Sequence, residues 1–294
     1  MPAMLNEQLP SVEFSRQADP FLDFCLWEYE SEVAGQDKLR SINLLNNSFA
    51  AARGTPELYN LCNKLRTGLG DWRTVWGTKY INGKLSWEFY FYDYLRLERD
   101  ITISKTLDIF RGFTKCDLQV NEDCLYFMFS IDIDDDLVRG KRNLDQINIY
   151  LGDISKHVSA GICYNLDRHG LRMDNLYHFF DARNEMDQIT DKVVSSLHVQ
   201  LEQFDINTVL IPELSDCSTI VIANKKFNDG VYFCRINIDQ LIHFLQRLDY
   251  PAGIQDFVRE NRDKLDHLLY DVGIDYRMEN GKTSYLKSSY YGVF

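Results

Sequence analysis

Hydrophobic and polar residues alternate along five pairs of short segments, and turns containing Gly separate the members of four of these pairs. Alternation with a period of two is typical of a β-strand that buries one face. The first pair turns at Ile81-Asn82-Gly83, a strong hairpin signal. Three further turns are predicted at residues 168–170, 228–230 and 279–281. We therefore predict five antiparallel hairpins, of which the later four are DCLYFMFSIDI with QINIYLGD, VSAGICYNLD with GLRMDNLYHFF, STIVIANKKF with VYFCRINI, and DVGIDYRM with KTSYLKSSYYGVF.

Segments with apolar residues at helical spacing precede and separate these hairpins. Two helices are predicted near the start, over Asp19–Ala34 and over Pro56–Gly70, where Pro56 suits a first turn. Two more are predicted over Asn184–Phe204 and over Asp239–Leu248, the last with Asp239 as its N-cap. The chain thus divides into N-terminal helices (1–72) and repeated hairpin and helix units (73–294), within a single domain spanning 1–294.

Ten antiparallel strands covered by helices can close into a barrel, which removes exposed strand edges. We therefore predict a single-domain α+β protein built around a ten-stranded antiparallel β-barrel. Ten strands leave an interior too wide for side chains alone to fill, so we expect a solvent-filled lumen.

The first hairpin indicates which residues face that lumen. In WGTKYINGKLSWEFYFYDY, one face of the second strand carries Trp87, Phe89 and Phe91, which we expect to pack under helices. The opposite face carries Glu88 and Tyr90 with their neighbours Ser86 and Tyr92. Aromatic rings around one carboxylate suit an enclosed, partly polar cavity better than a solvated surface.

Composition and charge exclude several classes of protein. The net charge of -12 disfavours a protein that binds the phosphate backbone of nucleic acid. No stretch reaches the apolar length that spans a bilayer, and the N-terminus lacks the features of a signal peptide. The seven cysteines are scattered without a CxxC pair, which indicates neither a metal site nor a disulfide framework. These features favour the reducing cytoplasm.

Three stretches resemble the ABBA-fold, or prenyltransferase-barrel, family of soluble aromatic prenyltransferases. The first hairpin is similar to that of the bacterial phenol-type members, with a Trp and a Lys before the turn and an aromatic strand after it. SAGICYNLDRHGLRMDNLYHFF resembles their central hairpin, and SYLKSSYYG resembles their last strand. The resemblance covers residues 73–294 by order of elements, with repeated αββα units.

The resemblance implies transfer of a dimethylallyl or geranyl group from its diphosphate to an indole-like or phenolic ring of a small molecule or peptide. Lys, Arg and Tyr side chains inside the barrel hold the diphosphate in such enzymes. Fixed cations and hydroxyl donors are the groups that stabilise a departing diphosphate. The residues of this chain expected to do so are Lys79, Lys225, Arg235, Arg277, Lys287, Tyr177, Tyr232 and Tyr285.

Aromatic faces shield the allylic cation in this family, and cation–π contacts explain why. The shield and acceptor pocket are expected to contain Tyr90, Tyr126, Met128, Tyr150 and Asn175. In indole-type members a Glu on an early strand accepts a hydrogen bond from the ring N–H. Glu88 matches that position, so it is the expected catalytic residue and favours an indole-type bacterial or cyanobacterial member.

Simpler interpretations stand beside these expectations. Glu88 also fits an exposed carboxylate on a half-buried strand, and single lysines in strands are usually solvated. The run at residues 132–136, rich in Asp, suits either Mg²⁺-bound diphosphate or a solvated strand end with turn-forming residues. The requirement for Mg²⁺ stays open. Two other functions are a non-catalytic barrel that binds an apolar or aromatic ligand, and an interaction protein with an acidic surface.

Overall fold

The structure, a computed structural model, describes residues 11–93, 99–152 and 160–294. The first ten residues, which bear on the expected lack of a signal peptide, lie outside this range. None of the helices in the described ranges is both long and apolar enough to cross a bilayer.

Ten strands form one antiparallel sheet that closes on itself. The strands are β1 (Thr74–Ile81), β2 (Lys84–Tyr92), β3 (Met128–Ile133), β4 (Gln146–Gly152), β5 (Ala160–Asp167), β6 (Gly170–Asp181), β7 (Thr219–Lys225), β8 (Asp229–Ile236), β9 (Tyr270–Glu279) and β10 (Lys282–Val293). Each strand pairs with its neighbours in sequence, and β1 pairs with β10 to close the barrel. The predicted ten-stranded antiparallel barrel of the α+β class is therefore confirmed.

Helices flank the barrel and cover the outer faces of its strands. The described ranges contain α1 (Ile42–Ala51), α2 (Pro56–Leu69), α3 (Ile103–Phe110), α4 (Asp135–Val138), α5 (Met186–Val194), α6 (Ile238–Arg247), α7 (Ala252–Glu260) and α8 (Arg262–Leu265), with 3₁₀ turns at Leu201–Gln203, Ile206–Thr208 and Pro212–Leu214. Outward-facing Trp87, Phe89 and Phe91 are buried in the core beneath these helices. Burying one such side chain stabilises the fold by about 1.5–3 kcal/mol.

The first and last hairpin turns lie where the sequence predicts them. Asn82 and Gly83 both have positive φ, as do Asn280 and Gly281, which is the geometry that favours Asn-Gly in two-residue turns. The turn predicted at residues 228–230 is displaced, because Asp229 already belongs to β8. Its buried carboxylate accepts hydrogen bonds from Ser196 and Asn224, which holds it within the sheet.

Two helix predictions need correction at their ends. The helix predicted over Asn184–Phe204 is shorter, since α5 ends at Val194 and short 3₁₀ turns follow. The N-cap of α6 is Asn237 rather than Asp239. Asn237 and Gln240 exchange side-chain and backbone hydrogen bonds in a capping box, so the cap falls two residues earlier.

The helix predicted over Asp19–Ala34 is wrong. The segment is irregular, with an isolated bridge between Leu22 and Glu28 and a positive φ at Leu26. The Asp23 carboxylate accepts hydrogen bonds from the backbone N–H groups of Cys25 and Trp27. Such local side-chain bonds compete with helical ones, and here they close a turn. Residues Pro20–Tyr29 are called the end segment below.

Candidate active site

A cavity of about 830 Å³ lies inside the barrel. Side chains from the strands and from the end segment line it. Eleven of the residues predicted to form the site are among them: Lys79, Glu88, Tyr90, Met128, Tyr150, Asn175, Tyr177, Lys225, Tyr232, Arg235 and Lys287.

Tyr126 is not a cavity residue, contrary to the prediction. The alternation of inward and outward side chains was extended back to residue 126, but β3 begins only at Met128. Tyr126 is fully buried in the outer core, where its hydroxyl donates to Glu122 at 2.6 Å. The guanidinium carbon of Arg99 lies 4.0 Å from the ring centroid. The ring therefore faces the layer outside the barrel.

Tyr285 also lies outside the cavity, because the strand register shifts beside it. A β-bulge falls between Tyr285 and Lys287, so Tyr285 pairs with Tyr276 while Lys287 pairs with Asp275. Paired residues share a face of the sheet, which puts Tyr285 on the outer face and Lys287 on the inner one. The Tyr285 hydroxyl donates to the carbonyl oxygen of Thr208 at 2.5 Å.

Arg277 keeps the inward register of Asp275 but lies nearer the hairpin turn and is not among the cavity-lining residues. Its guanidinium Nε donates to the Glu279 carboxylate at 2.8 Å, and both side chains are about two-fifths exposed. This pair is a solvated one at the end of the barrel, so the prediction that Arg277 joins the site is wrong.

Glu88 is the buried carboxylate at one side of the cavity. Its Oε1 accepts hydrogen bonds from Ser130 Oγ at 2.6 Å and from Asn148 Nδ2 at 3.3 Å, and its Oε2 lies 3.4 Å from Lys79 Nζ. Burial alone would raise the pKa of Glu88, but Lys79 and Lys287 outweigh it and lower the pKa to about 2. Glu88 is therefore ionised at neutral pH, although it is only 6% exposed.

Two lysines share one carboxylate on the neighbouring wall. Asp275 lies 2.7 Å from Lys225 Nζ and 2.9 Å from Lys287 Nζ. Burial would raise the pKa of Asp275, but the two ammonium groups lower it to about 2. Burial opposes the charge of Lys287, yet Asp275 and the surrounding groups hold its pKa well above the ordinary value. Burial lowers the pKa of Lys225, and Asp275 opposes that shift. The Lys225–Asp275–Lys287 cluster therefore places two amines beside one carboxylate.

Five of the six tyrosines that line the cavity form two groups of neighbouring rings, which together are called the tyrosine belt. The ring centroids are 5.9 Å apart for Tyr90 and Tyr291, 6.1 Å for Tyr150 and Tyr177, and 6.3 Å for Tyr177 and Tyr232. All five side chains line the cavity. Tyr291 was missed, although the alternation Lys287, Ser289, Tyr291 on β10 contains the signal that would have placed it.

The Asp-rich run separates into two roles. Asp132 lines the cavity and pairs with Lys79, whereas Asp134 caps α4 by accepting from the backbone N–H of Leu137. Asp135 accepts from Thr55. Most of the run therefore forms the turn that the simpler interpretation predicts. Within the described ranges, no three His, Cys, Asp or Glu side chains are placed to hold a metal ion.

Basic and acidic residues line the cavity in equal number. Six are basic, namely Lys79, Arg172, Lys225, Lys226, Arg235 and Lys287. Six are acidic, namely Asp23, Glu88, Asp132, Asp174, Asp271 and Asp275. Asp23 and Asp271 could not be found from the sequence, since one was assigned to a helix and the other to the start of a strand.

Arg235 lines the cavity at the end where the end segment crosses it. Its Nε donates to Asp23 at 2.8 Å, and its backbone N–H donates to Asp271 at 3.1 Å. Burial and the nearby Asp23 raise the pKa of Asp271 to about 7. Arg235 thus pairs with Asp23 of the end segment and lies apart from the Lys225–Asp275–Lys287 cluster.

Comparisons with known proteins do not assign a family. No protein-family model matches the chain, and no curated protein does. Among solved structures, a porin-like protein from Bacteroides uniformis is 8% identical, with 76% of this chain and 98% of that chain covered. Its TM-score of 0.17 is too low to support any argument about fold or function.

Proposed function

We propose that this protein is an ABBA-fold aromatic prenyltransferase. The observation that carries the proposal is a barrel cavity in which buried lysines lie beside an ionised glutamate and a belt of tyrosines. Prenyl transfer needs all three groups: cations for the leaving diphosphate, aromatic faces for the allylic cation, and a polar anchor for the acceptor ring.

The Lys225–Asp275–Lys287 cluster is the proposed diphosphate site. Its two amines beside one carboxylate suit an anionic ligand. The Tyr232 hydroxyl accepts from Lys225 at 3.3 Å and donates to Asp275 at 3.4 Å, and it can turn this long donor contact towards the ligand. Lys79 faces the same cavity from β1. Fixed donors in a water-poor site stabilise the charge that develops as the carbon–oxygen bond breaks.

The tyrosine belt is the proposed shield for the allylic cation. Each favourable cation–π contact contributes about 0.5–2 kcal/mol, with the larger values in desolvated sites. A belt of five rings also limits the water that could capture the cation. Prenyl transfer is then favoured over hydrolysis of the donor.

Glu88 is proposed to orient the acceptor. Its long 3.4 Å contact with Lys79 leaves Oε2 able to accept a stronger hydrogen bond from an indole N–H or a phenol hydroxyl. A carboxylate whose pKa is about 2 is a weak base, so it is ill suited to deprotonate a neutral acceptor. It can still take the proton from the strongly acidic ring cation that follows prenyl attack on carbon.

The order of helices and strands along the chain supports the proposed family. Helices precede or follow most of the strand pairs along the chain, as in repeated αββα units. The proposed donor is dimethylallyl or geranyl diphosphate, and the acceptor is an indole-like or phenolic ring. Since all seven cysteines are unpaired, we also propose a reducing, cytoplasmic setting.

A second candidate is a non-catalytic barrel that binds an apolar or aromatic ligand. It is favoured because four basic lining residues already pair with acidic lining residues, namely Lys79, Lys225, Arg235 and Lys287. A neutral ligand would enter such a cavity without disturbing any ion pair.

One experiment separates the two functions. The purified protein is incubated with dimethylallyl or geranyl diphosphate, with and without Mg²⁺, against indoles, phenols and peptides containing Tyr or Trp. Mass spectrometry reads a gain of one prenyl unit, and Glu88→Gln is assayed in parallel. Prenylated product supports the transferase. No product, together with no thermal stabilisation by either diphosphate, would replace it with the ligand-binding barrel.

A further inference from the structure

The end segment crosses the end of the barrel opposite the hairpin turns. Within the described ranges, the tight turns between paired strands lie at one end, which includes Asn82 and Asn280. The end segment instead contacts Tyr92, the last residue of β2, and Asp271, near the first residue of β9. The strand directions place both residues at the other end.

Phe24 is held in this position through its backbone. Its N–H donates to the Asp271 carboxylate at 2.8 Å, and its carbonyl oxygen accepts from the Tyr92 hydroxyl at 2.5 Å. Asp271 is buried, so its hydrogen bond is protected from water. Because both contacts use main-chain atoms of Phe24, a change of its side chain leaves them in place.

The Phe24 ring forms part of the cavity wall. Its centroid lies 4.7 Å from that of the Tyr291 ring and 5.0 Å from that of the Tyr90 ring, with interplanar angles of 64° and 74°. Gly77 fixes the depth of this wall, because a Cβ at that position would lie 2.6 Å from the Tyr291 ring. Phe24 therefore covers the tyrosine belt where the cavity meets the end segment.

From this geometry we infer that Phe24 limits the length of the prenyl chain that the cavity accepts, an inference that rests on the proposed function. A diphosphate at Lys287 leaves the chain to run along β10 towards Tyr291. Those four strand positions span roughly 13 Å at about 3.3 Å per residue. Each isoprene unit adds four bonds, which at about 1.5 Å per bond advance an extended zigzag chain by roughly 5 Å. Two units fit before Phe24, and a third meets its ring.

The test compares binding of dimethylallyl, geranyl and farnesyl diphosphate to the wild-type protein and to Phe24→Ala, by titration calorimetry. We expect wild-type Kd for farnesyl diphosphate to exceed that for geranyl diphosphate by about tenfold. In Phe24→Ala the two Kd values should agree to within about threefold. Phe24→Trp should shift the limit the other way and weaken geranyl diphosphate.

Met173→Ala is the matched control. Met173 lines the cavity near the hairpin turn of β5 and β6 and is 59% exposed, so its loss enlarges the cavity without deepening the end that Phe24 closes. We expect it to keep the wild-type order of the three donors. Phe24→Leu, which keeps an apolar side chain, should show the same direction of change should the alanine variant fail to fold.

The outcomes separate the inference from the proposed function. If the wild-type protein binds geranyl diphosphate and the Phe24 variants keep its donor order, Phe24 is not the limit and only this inference falls. If Met173→Ala changes the order as much as Phe24→Ala does, the effect is one of total volume and the inference also falls. If the wild-type protein binds none of the three donors, the proposed function falls with it.

Discussion

Replacing Lys287 with methionine tests the proposed diphosphate site directly. Methionine keeps an unbranched apolar stem of similar length and removes both the charge and the N–H donors. Asp275 retains Lys225 at 2.7 Å, so the buried carboxylate stays paired and the fold should persist. Lys225→Met is the reciprocal change, in which Asp275 keeps Lys287 at 2.9 Å.

The expected loss of affinity follows from one charged contact. A hydrogen bond to a charged group contributes about 1.5–3 kcal/mol, which corresponds to an increase in Kd of about 10- to 150-fold. Inorganic diphosphate is the probe, because it reports the anion site without the prenyl chain. Titration calorimetry measures Kd for the wild type and for each lysine variant.

Asp275→Asn should lower the stability of the protein but keep the two lysines that bind diphosphate. It leaves two buried ammonium groups without their carboxylate, and breaking a buried ion pair in this way costs about 3–5 kcal/mol of stability. Inorganic diphosphate can replace the lost anion. At about 100 times its Kd, a ligand that binds only the folded state adds about 2.7 kcal/mol of stability. Thermal unfolding with and without diphosphate measures this recovery.

Lys115→Met serves as the control for lost charge alone, since Lys115 is exposed, pairs with Asp117 and is not a cavity residue. It should bind diphosphate as the wild type does. Equal Kd values, to within about twofold, for the wild type and both cavity-lysine variants would refute the assignment of the cluster to the diphosphate. Failure of diphosphate to stabilise Asp275→Asn would refute the charge argument.

Three further measurements test other parts of the site. Glu88→Gln should lower kcat about 100-fold or more. It should not weaken binding of the prenyl donor, because it removes an anion from the cavity. An unchanged kcat in steady-state kinetics with an N–H acceptor would count against this role. Asp271→Asn removes a carboxyl group whose pKa is raised to about 7. The wild type should therefore lose stability relative to the variant as pH rises from about 4 to about 7, by at most about 1.4 kcal/mol per pH unit. Urea unfolding that gives the same difference in free energy between the two proteins at every pH would contradict the shift. Because the cavity has as many acidic as basic lining residues, a prenyl diphosphate should bind more tightly as its less anionic Mg²⁺ complex. Equal Kd values with Mg²⁺ and with a chelator would show that the lysines suffice.

Alternation of apolar and polar residues predicts much of this barrel, because each strand buries one face beneath the helices and turns the other towards the cavity. The rule correctly places Trp87 on the outer face beneath the helices, and it places Glu88 and Lys225 on the inner face. Asn-Gly pairs located the first and last turns, since few other residues tolerate positive φ at both positions.

The failures occur where the backbone departs from a regular strand. A bulge moved Tyr285 to the outer face, and a late strand start left Tyr126 outside the ladder. Neither event changes the residue pattern, so a rule based on periodicity cannot detect it. The end segment failed for a different reason, because its apolar spacing suits a helix while the Asp23 carboxylate bonds to its own backbone.

Closure of the barrel by β1 and β10 has a consequence for how the protein folds. Val75 pairs with Val293, so the last wall of the cavity forms between segments from opposite ends of the strand series. Contacts of such high sequence separation form late and slow the folding of a chain. The cavity does not exist in any species that lacks this seam. A ligand of the cavity can therefore bind only chains that have finished folding, and its presence would shift late intermediates towards the closed barrel.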